Sequence, residues 1–446
     1  MDNNSINQHL IFGDIDNPEV LPHWQALKKS QYAFKHDFGL DALPLEPGII
    51  IVRGPRQYGK STWLELQVAE TITTFGPGSA LYLNGDEIIN AKALLESIRV
   101  LSQLFRPDAP VKRLFIDEIT AVTEWEKALK RAIDAGELSN VLIVTTGSKA
   151  TDLRRGTERL PGRKGKLARH HYIFTPISYA EFKRQCGGAL GEMSLYAYLL
   201  SGGSPVAASA IATTGLLPDY VATITSDWIL GEFAAAGRSR SHLMAVLQGI
   251  YRFGGAPLGQ AKLARETGLS NNTVAQGYID LLNDLMCVIP SYAYDADKHI
   301  SLFRKPCKYH FINLLAAMVW HPQVPRSPLA LANLPPQDLA VILEWAVAQE
   351  LWRRACITNP EGLPDHQNYW QSKTHEIDFV VLEPGRPVDY IEVKKGAESP
   401  MSFTWFLKTH PHQILKVINP NAFETERIIG LPLEAFLLGG GPCDLR

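Results

Sequence analysis

The stretch Gly54-Pro55-Arg56-Gln57-Tyr58-Gly59-Lys60-Ser61-Thr62 fills the pattern G-x-x-x-x-G-K-S/T without a mismatch, and no other part of the chain restricts its fold as strongly. The pattern predicts a phosphate-binding loop between a buried strand and a helix. Its two glycines let the backbone curl until successive N–H groups face phosphate oxygens, and the helix that follows adds the positive end of its dipole. Every residue from Gly54 to Thr62 is therefore a candidate contact for ATP. Lys60 is placed to reach the β- and γ-phosphates, Ser61 to set its hydroxyl on Mg²⁺, and Thr62 to begin the helix that Trp63, Leu64 and Leu66 continue. The preceding run Gly48-Ile49-Ile50-Ile51-Val52-Arg53 is apolar without alternation, as a strand covered on both faces requires.

From Gly48 to about Phe174, apolar runs alternate with helical stretches, which predicts an α/β architecture built on a largely parallel sheet. The strand candidates are Gly48–Arg53, Ala80–Asn84, Arg113–Asp117, Val141–Thr145 and His170–Phe174. Ligands of such sheets gather at the carboxyl ends of the strands. The third run ends in Asp117-Glu118: Asp117 is expected to hold Mg²⁺ through its water shell, and Glu118 to polarise the water that attacks the γ-phosphate. The fourth ends in Thr145-Thr146-Gly147-Ser148, small hydroxyl residues suited to sensing that phosphate or to capping the next helix. The basic, glycine-containing stretch 154–171 follows. There Arg163 is the candidate arginine finger, acting within its own subunit or on a neighbouring copy; a solvated basic loop touching a nucleic-acid backbone is the other reading.

Composition narrows the function classes. The chain has 446 residues, 46% of them apolar and 20% charged, enough for two to four domains with substantial cores. A net charge of −2 excludes a protein that seeks polyanions over its whole surface, so any contact with nucleic acid must be local. Five cysteines scattered without C-x-x-C spacing indicate neither a zinc site nor a disulfide framework. That cysteine usage makes a reducing cytoplasm the expected location, and without a basic-then-apolar leader pattern or a membrane-length apolar run, membrane insertion is not expected.

Five segments are expected: a docking segment at 1–45, the phosphate-loop ATPase core at 46–180, a helical lid at 181–240, a winged-helix domain at 241–320, and a domain at 337–446. In the fourth, Leu263-Ala264 marks a first helix, Gly268 the turn and Ser270 the cap. Val274, Ile279 and Leu282 bury a second helix, and Met286–Tyr294 supplies a winged hairpin. Asn271, Asn272, Thr273 and Gln276 are the side chains that could read DNA. That helix carries no arginine or lysine, which favours a packing role within the ATPase. In the fifth segment, strand-like runs 375–382 and 389–396 are joined by a proline-glycine turn. Strand periodicity places Glu392 and Lys394 on one face, with Asp378 opposite on the neighbouring strand. Two carboxylates facing a divalent cation beside a lysine form a metal-dependent nuclease constellation, a pattern that is also common by chance.

Taken in order, these runs resemble a large family of bacterial and archaeal AAA-type ATPases whose C-terminal region is similar to PD-(D/E)XK nucleases. The resemblance runs through Gly54–Thr62, Asp117-Glu118, Gly147-Ser148, Leu160-Pro161-Gly162-Arg163, Pro176-Ile177-Ser178-Tyr179-Ala180-Glu181-Phe182, Gly202-Gly203-Ser204-Pro205, Glu376-Ile377-Asp378-Phe379 and Ile391-Glu392-Val393-Lys394. It implies an ASCE-type ATPase core, a winged helix and a restriction-endonuclease-like fold. By that resemblance Asp378, Glu392 and Lys394 fall on the nuclease motif and Glu344 on its helical acid, with Glu344, Asp378 and Glu392 as metal ligands. The expected activity is ATP hydrolysis with Mg²⁺ that controls a nucleic-acid-directed, nuclease-like domain, with metal-dependent cleavage of DNA as the activity that domain would carry. The alternative is an ATP-dependent switch or adaptor in which that domain is inert. The partners implied are ATP, DNA and a second copy of the chain, with no membrane.

Overall fold

A strand covered on both faces needs apolar side chains at every position, and Gly48–Arg53 (β1) supplies them. Ile49 and Ile51 enter one core while Ile50 and Val52 enter another. The computed structural model describes residues 1–147, 167–358 and 366–439, and it divides into two units, Met1–Thr175 and Pro176–Arg446.

In the first unit β1 is followed by Ala80–Asn84 (β2), Arg113–Asp117 (β3), Leu142–Gly147 (β4) and His171–Ile173 (β5). They lie in the order β2-β3-β4-β1-β5 and every pairing is parallel. This α/β arrangement with a five-stranded parallel sheet is consistent with a P-loop nucleotide-binding core. The fourth strand runs further than its apolar stretch suggests, so that Thr146 pairs with Val52 and belongs to the sheet. Because β4 lies between β1 and β3, the loop after β1 and the acids ending β3 leave the same edge one strand apart.

The loop leads into helix Lys60–Phe75, which begins at Lys60 rather than at Thr62. It is entered through Gly59 at φ 97°, a value that side chains with a Cβ rarely adopt. Trp63, Leu64, Val68 and Ile72 bury its inner face. The N-terminal residues form helices Asn3–Phe12 and Pro22–Lys29. Asn7 Nδ2 donates to the Tyr82 carbonyl at 2.6 Å while its Oδ1 accepts from Tyr82 N at 2.8 Å. Asn3 treats Asn84 in the same way, at 3.1 and 2.7 Å. Side-chain amides thus satisfy the outer edge of β2, which would otherwise offer an open row of backbone groups.

The second unit opens with helices Tyr179–Leu190, Ser194–Ser201, Pro205–Thr214, Asp219–Ala235 and Arg240–Arg252. Helices Gln260–Glu266 and Asn272–Asp284 follow, joined through Gly268 at φ 68°. The cap of the second is Asn271, whose Oδ1 accepts from Val274 N at 2.9 Å; Ser270, the residue expected there, lies one position too early. Then come Val288–Asp295 (β6), Ile300–Leu302 (β7), Lys308–Phe311 (β8), helix Pro336–Thr358, Gln367–Gln371 (β9), Glu376–Val381 (β10), Asp389–Val393 (β11), Leu415–Ile418 (β12), Phe423–Glu424 (β13) and Ile428–Leu431 (β14). The strand order is β13-β14-β12-β11-β10-β9-β6-β7, with β8 also on β6. The first half of β6 pairs antiparallel with β8, and its second half pairs with β7 and, in parallel, with β9. One strand therefore carries both the hairpin after the helix pair and the C-terminal strands. Among the described residues no helix is long and apolar enough to cross a membrane.

Glu65, on the phosphate-loop helix, is buried, and burial pushes its carboxyl up to about 8 although Trp24 N donates to it at 2.9 Å. A carboxyl whose folded pKa lies above its unfolded value contributes stability at low pH that is lost as pH rises through the folded pKa. Glu65→Gln is expected to remove that loss: between about pH 4.5 and about pH 8 its Tm, followed by circular dichroism, should fall less than that of the wild type.

Candidate functional site

The phosphate loop is shaped by two glycines for different reasons. A Cβ at Gly54 would lie 2.6 Å from the Phe174 carbonyl oxygen and 2.7 Å from Phe174 Cβ, so the loop leaves β1 against neighbouring backbone that tolerates no side chain. Gly59 and Gln57 take left-handed φ values of 97° and 67° and turn the chain back toward the helix. Pro55 and Tyr58 are buried, Arg56 and Gln57 exposed, and Ser61 and Thr62 half-buried. Tyr58 belongs to the apolar core, so what it offers a ligand is its backbone. Lys60 is almost fully buried, and its Nζ donates to the carbonyls of Gly54 at 3.0 Å and Pro55 at 2.8 Å. Burial lowers its pKa, while the charges of Glu118 and Asp117 oppose that shift and Arg56 adds to it. The fold thus brings the loop lysine into the electrostatic reach of both acids.

Asp117 ends β3 and is buried. Its Oδ1 accepts from the Thr146 hydroxyl and, at 3.1 Å, from Glu118 N, and Tyr82 OH donates to Oδ2 at 3.5 Å. Glu118 N also donates to Thr146 Oγ1 at 3.4 Å. Glu118 itself sits at φ 46°, ψ 43°, a left-handed conformation that costs a non-glycine residue roughly 1–3 kcal/mol and persists only where the surroundings enforce it. A Cβ at Gly85 would come within 2.4 Å of the Glu118 carbonyl oxygen, so β2's exit is fitted to this turn. Of the expected sensor residues, Thr146 holds Asp117 and Thr145 faces inward, donating to the Ile50 carbonyl at 3.4 Å. Ser148 and Arg163 lie outside the described residues. Carboxylate and hydroxyl oxygens are the hard donors Mg²⁺ prefers, so Asp117 and Ser61 fit that ion by their chemistry.

In the second unit Glu344, Asp378, Glu392 and Lys394 lie in one cluster of hydrogen bonds and ion pairs. Asp378 N donates to Glu392 Oε2 at 3.2 Å, Val393 N to Asp378 Oδ2 at 2.9 Å, and Lys394 Nζ to Glu392 Oε1 at 2.5 Å. Two residues that the pattern did not single out, Lys308 and His310, join them. Lys308 on β8 has no exposed side-chain surface, and its Nζ lies 2.5 Å from Glu376, 2.8 Å from Asp378 and 3.4 Å from Glu344. His310 Nε2, two residues along the same strand, lies 2.9 Å from Glu344 Oε1. The signal for these was present: in Lys308-Tyr309-His310-Phe311 the period of a strand sets two polar side chains on one face of a wholly buried segment. Burial alone would raise the Glu344 carboxyl, yet Lys308 and His310 hold it down to about 2. Burial, then the charge of Asp378, pushes Glu392 up to about 8 against the pull of Lys394. On the helix pair, Asn271, Asn272 and Thr273 are exposed, whereas Gln276 is half-buried and donates to Asp280 at 2.5 Å.

A family model described as an AAA domain matches residues 46–183. No curated protein matches the chain. Among solved structures, the Walker-type ATPase of Pyrococcus abyssi is 13% identical with a TM-score of 0.42, over 69% of this chain and 96% of that one. The ORC2 protein of Aeropyrum pernix with ADPNP and ADP is 12% identical with a TM-score of 0.37, over 61% and 86%. The ORC1 protein of the same organism in complex with DNA is 13% identical with a TM-score of 0.32, over 62% and 86%. Likenesses of this size carry no argument about what the chain does.

The crowding at Gly54 gives a direct test of the loop. Gly54→Ala is expected to cost about 1–3 kcal/mol in denaturant unfolding and to weaken a fluorescent ATP analogue roughly tenfold or more. Unchanged affinity would show that the loop's approach to Phe174 does not shape the site.

Proposed function

We propose that this chain binds ATP with Mg²⁺ at Gly54–Thr62, hydrolyses it, and uses its nucleotide state to govern the second unit. The observation that carries the reading is the convergence of Lys60, Asp117 and Glu118 at one edge of a parallel sheet, with the loop closed by Gly54 and Gly59. The match of residues 46–183 to an AAA domain supports it. In this reading the loop N–H groups and Lys60 hold the phosphates, and Ser61 and Asp117 hold Mg²⁺. Bound there, Mg²⁺ offsets negative charge on the phosphate oxygens. Thr146 fixes the Asp117 carboxylate through its hydroxyl. Glu118 polarises the attacking water, its backbone held in the turn that Asp117 and Thr146 secure. Arg163 supplies charge to the transferring phosphoryl, from its own chain or a second copy.

For the second unit two roles follow from its residues: a nuclease-like domain directed at DNA through Asp378, Glu392 and Lys394 with Glu344, or an adaptor whose partner surface changes with nucleotide. The exposed Asn271, Asn272 and Thr273 suit base edges, but the helix at whose start they lie, Asn272–Asp284, lacks the cations that dominate affinity for DNA. The surroundings of Lys308 favour the adaptor role, because three of the carboxylates there already enclose its ammonium.

Lys60→Ala leaves the loop glycines in place and removes the loop ammonium that this reading assigns to the phosphates. It is expected to lower ATP affinity by roughly 1.5–3 kcal/mol, the worth of a charge-assisted hydrogen bond, as read by equilibrium dialysis. Retention of wild-type affinity would sink the assignment of this loop as the nucleotide site.

A further inference from the structure

The resemblance to metal-dependent nucleases implies a divalent cation among Glu344, Asp378 and Glu392, and the residues around them do not fit one. Magnesium requires near-octahedral oxygen ligands at about 2.0–2.1 Å, and calcium takes six to eight at about 2.3–2.6 Å. Here five of the six oxygens of these three acids face protein donors. Asp378 Oδ1 faces Lys308 Nζ and Oδ2 accepts from Val393 N. Glu392 Oε2 accepts from Asp378 N and Oε1 from Lys394. Glu344 Oε1 accepts from His310 and faces Lys308. Lys308 has three N–H groups and three carboxylates around them, those of Glu344, Glu376 and Asp378. It comes from β8, outside the β10–β11 hairpin and the helix that carry the acids, and its side chain is wholly buried. An ammonium kept so far from water needs acceptors that compensate it, and here the compensation comes from three carboxylates. Among the described residues no group of three or more His, Cys, Asp and Glu side chains has the arrangement to hold a metal ion.

We infer that the Lys308 ammonium is the resident cation of this carboxylate cluster and keeps the C-terminal site closed to divalent metal, so that the second unit is a folded adaptor rather than a metal-dependent nuclease. The lysine does by covalent attachment what a bound ion does elsewhere: it neutralises facing acids from β10 and helix Pro336–Thr358 and ties β8 to both. This role of Lys308 deepens the adaptor reading and does not depend on ATP hydrolysis, which belongs to the other unit and is read by a separate assay.

The test is calorimetric titration of Mn²⁺ into the full-length, nucleotide-free chain, as wild type, Asp378→Ala and Lys308→Met, the last keeping the stem of the side chain while removing its charge. The expected result is no saturable Mn²⁺ site in the wild type or in Asp378→Ala, and a new saturable site in Lys308→Met, with Mn²⁺ raising the Tm of that variant alone. A wild-type site abolished by Asp378→Ala overturns the inference. So does a folded Lys308→Met that binds no Mn²⁺, because the ammonium would then not stand in the place of an ion. If Lys308→Met does not fold, the wild-type and Asp378→Ala titrations decide alone: no site in either supports the inference, and a site dependent on Asp378 overturns it.

Discussion

An ammonium taken out of water must be met by oxygen acceptors, and two buried lysines meet that demand in opposite ways. Lys60 finds backbone carbonyls of its own loop, at Gly54 and Pro55. These are neutral acceptors, and phosphate oxygens carrying full charge compete with them well. Lys308 finds three carboxylates supplied by other elements. Breaking such a buried arrangement leaves unpaired charge, which is why it resists exchange. The same side chain is therefore poised to take a ligand in the first unit and built to exclude one in the second.

The first lysine depends on backbone geometry more than on side chains. Gly54 sits where a Cβ would strike the Phe174 backbone, so the loop can form only if β5 and the residue after it are in place. β4 lies between the strands that bear the loop and the acids, and it contributes Thr146, which touches both Asp117 and Glu118. The outer edge of the sheet is completed by the amides of Asn3 and Asn7. Each of these contacts joins segments far apart in sequence, and together they hold the acids near Lys60 without any ligand's help.

Much of this was legible in the sequence because it is local. The loop pattern, the continuous apolar run of β1 and the acids ending β3 are each read within about ten residues, where strand and turn chemistry act directly. Local signals also set the errors: the helix starts at Lys60 because Gly59 already supplies the left-handed turn, and Asn271 outcompetes Ser270 as a cap because its side chain reaches Val274 N. The pairing of Asp378 with Glu392 and Lys394 could be read for a similar reason, strand periodicity in two runs joined by a short loop. Lys308 could not. It meets Glu344, Glu376 and Asp378 only because β6 pairs with both β8 and β9, and a register of that range leaves no mark in spacing. The polar alternation in Lys308-Tyr309-His310-Phe311 signals that something must face those side chains without saying what.

Whether the edge between β1 and β3 turns over ATP is decided by phosphate release from the wild type and from Glu118→Gln, each with Mg²⁺ and with chelator, alongside ATP binding. Mg²⁺-dependent turnover by the wild type is expected, with a fall of about 10²-fold or more in Glu118→Gln and binding retained. Equal turnover by both proteins, or no turnover by a wild type that binds ATP, would contradict the roles assigned to Lys60, Asp117 and Glu118.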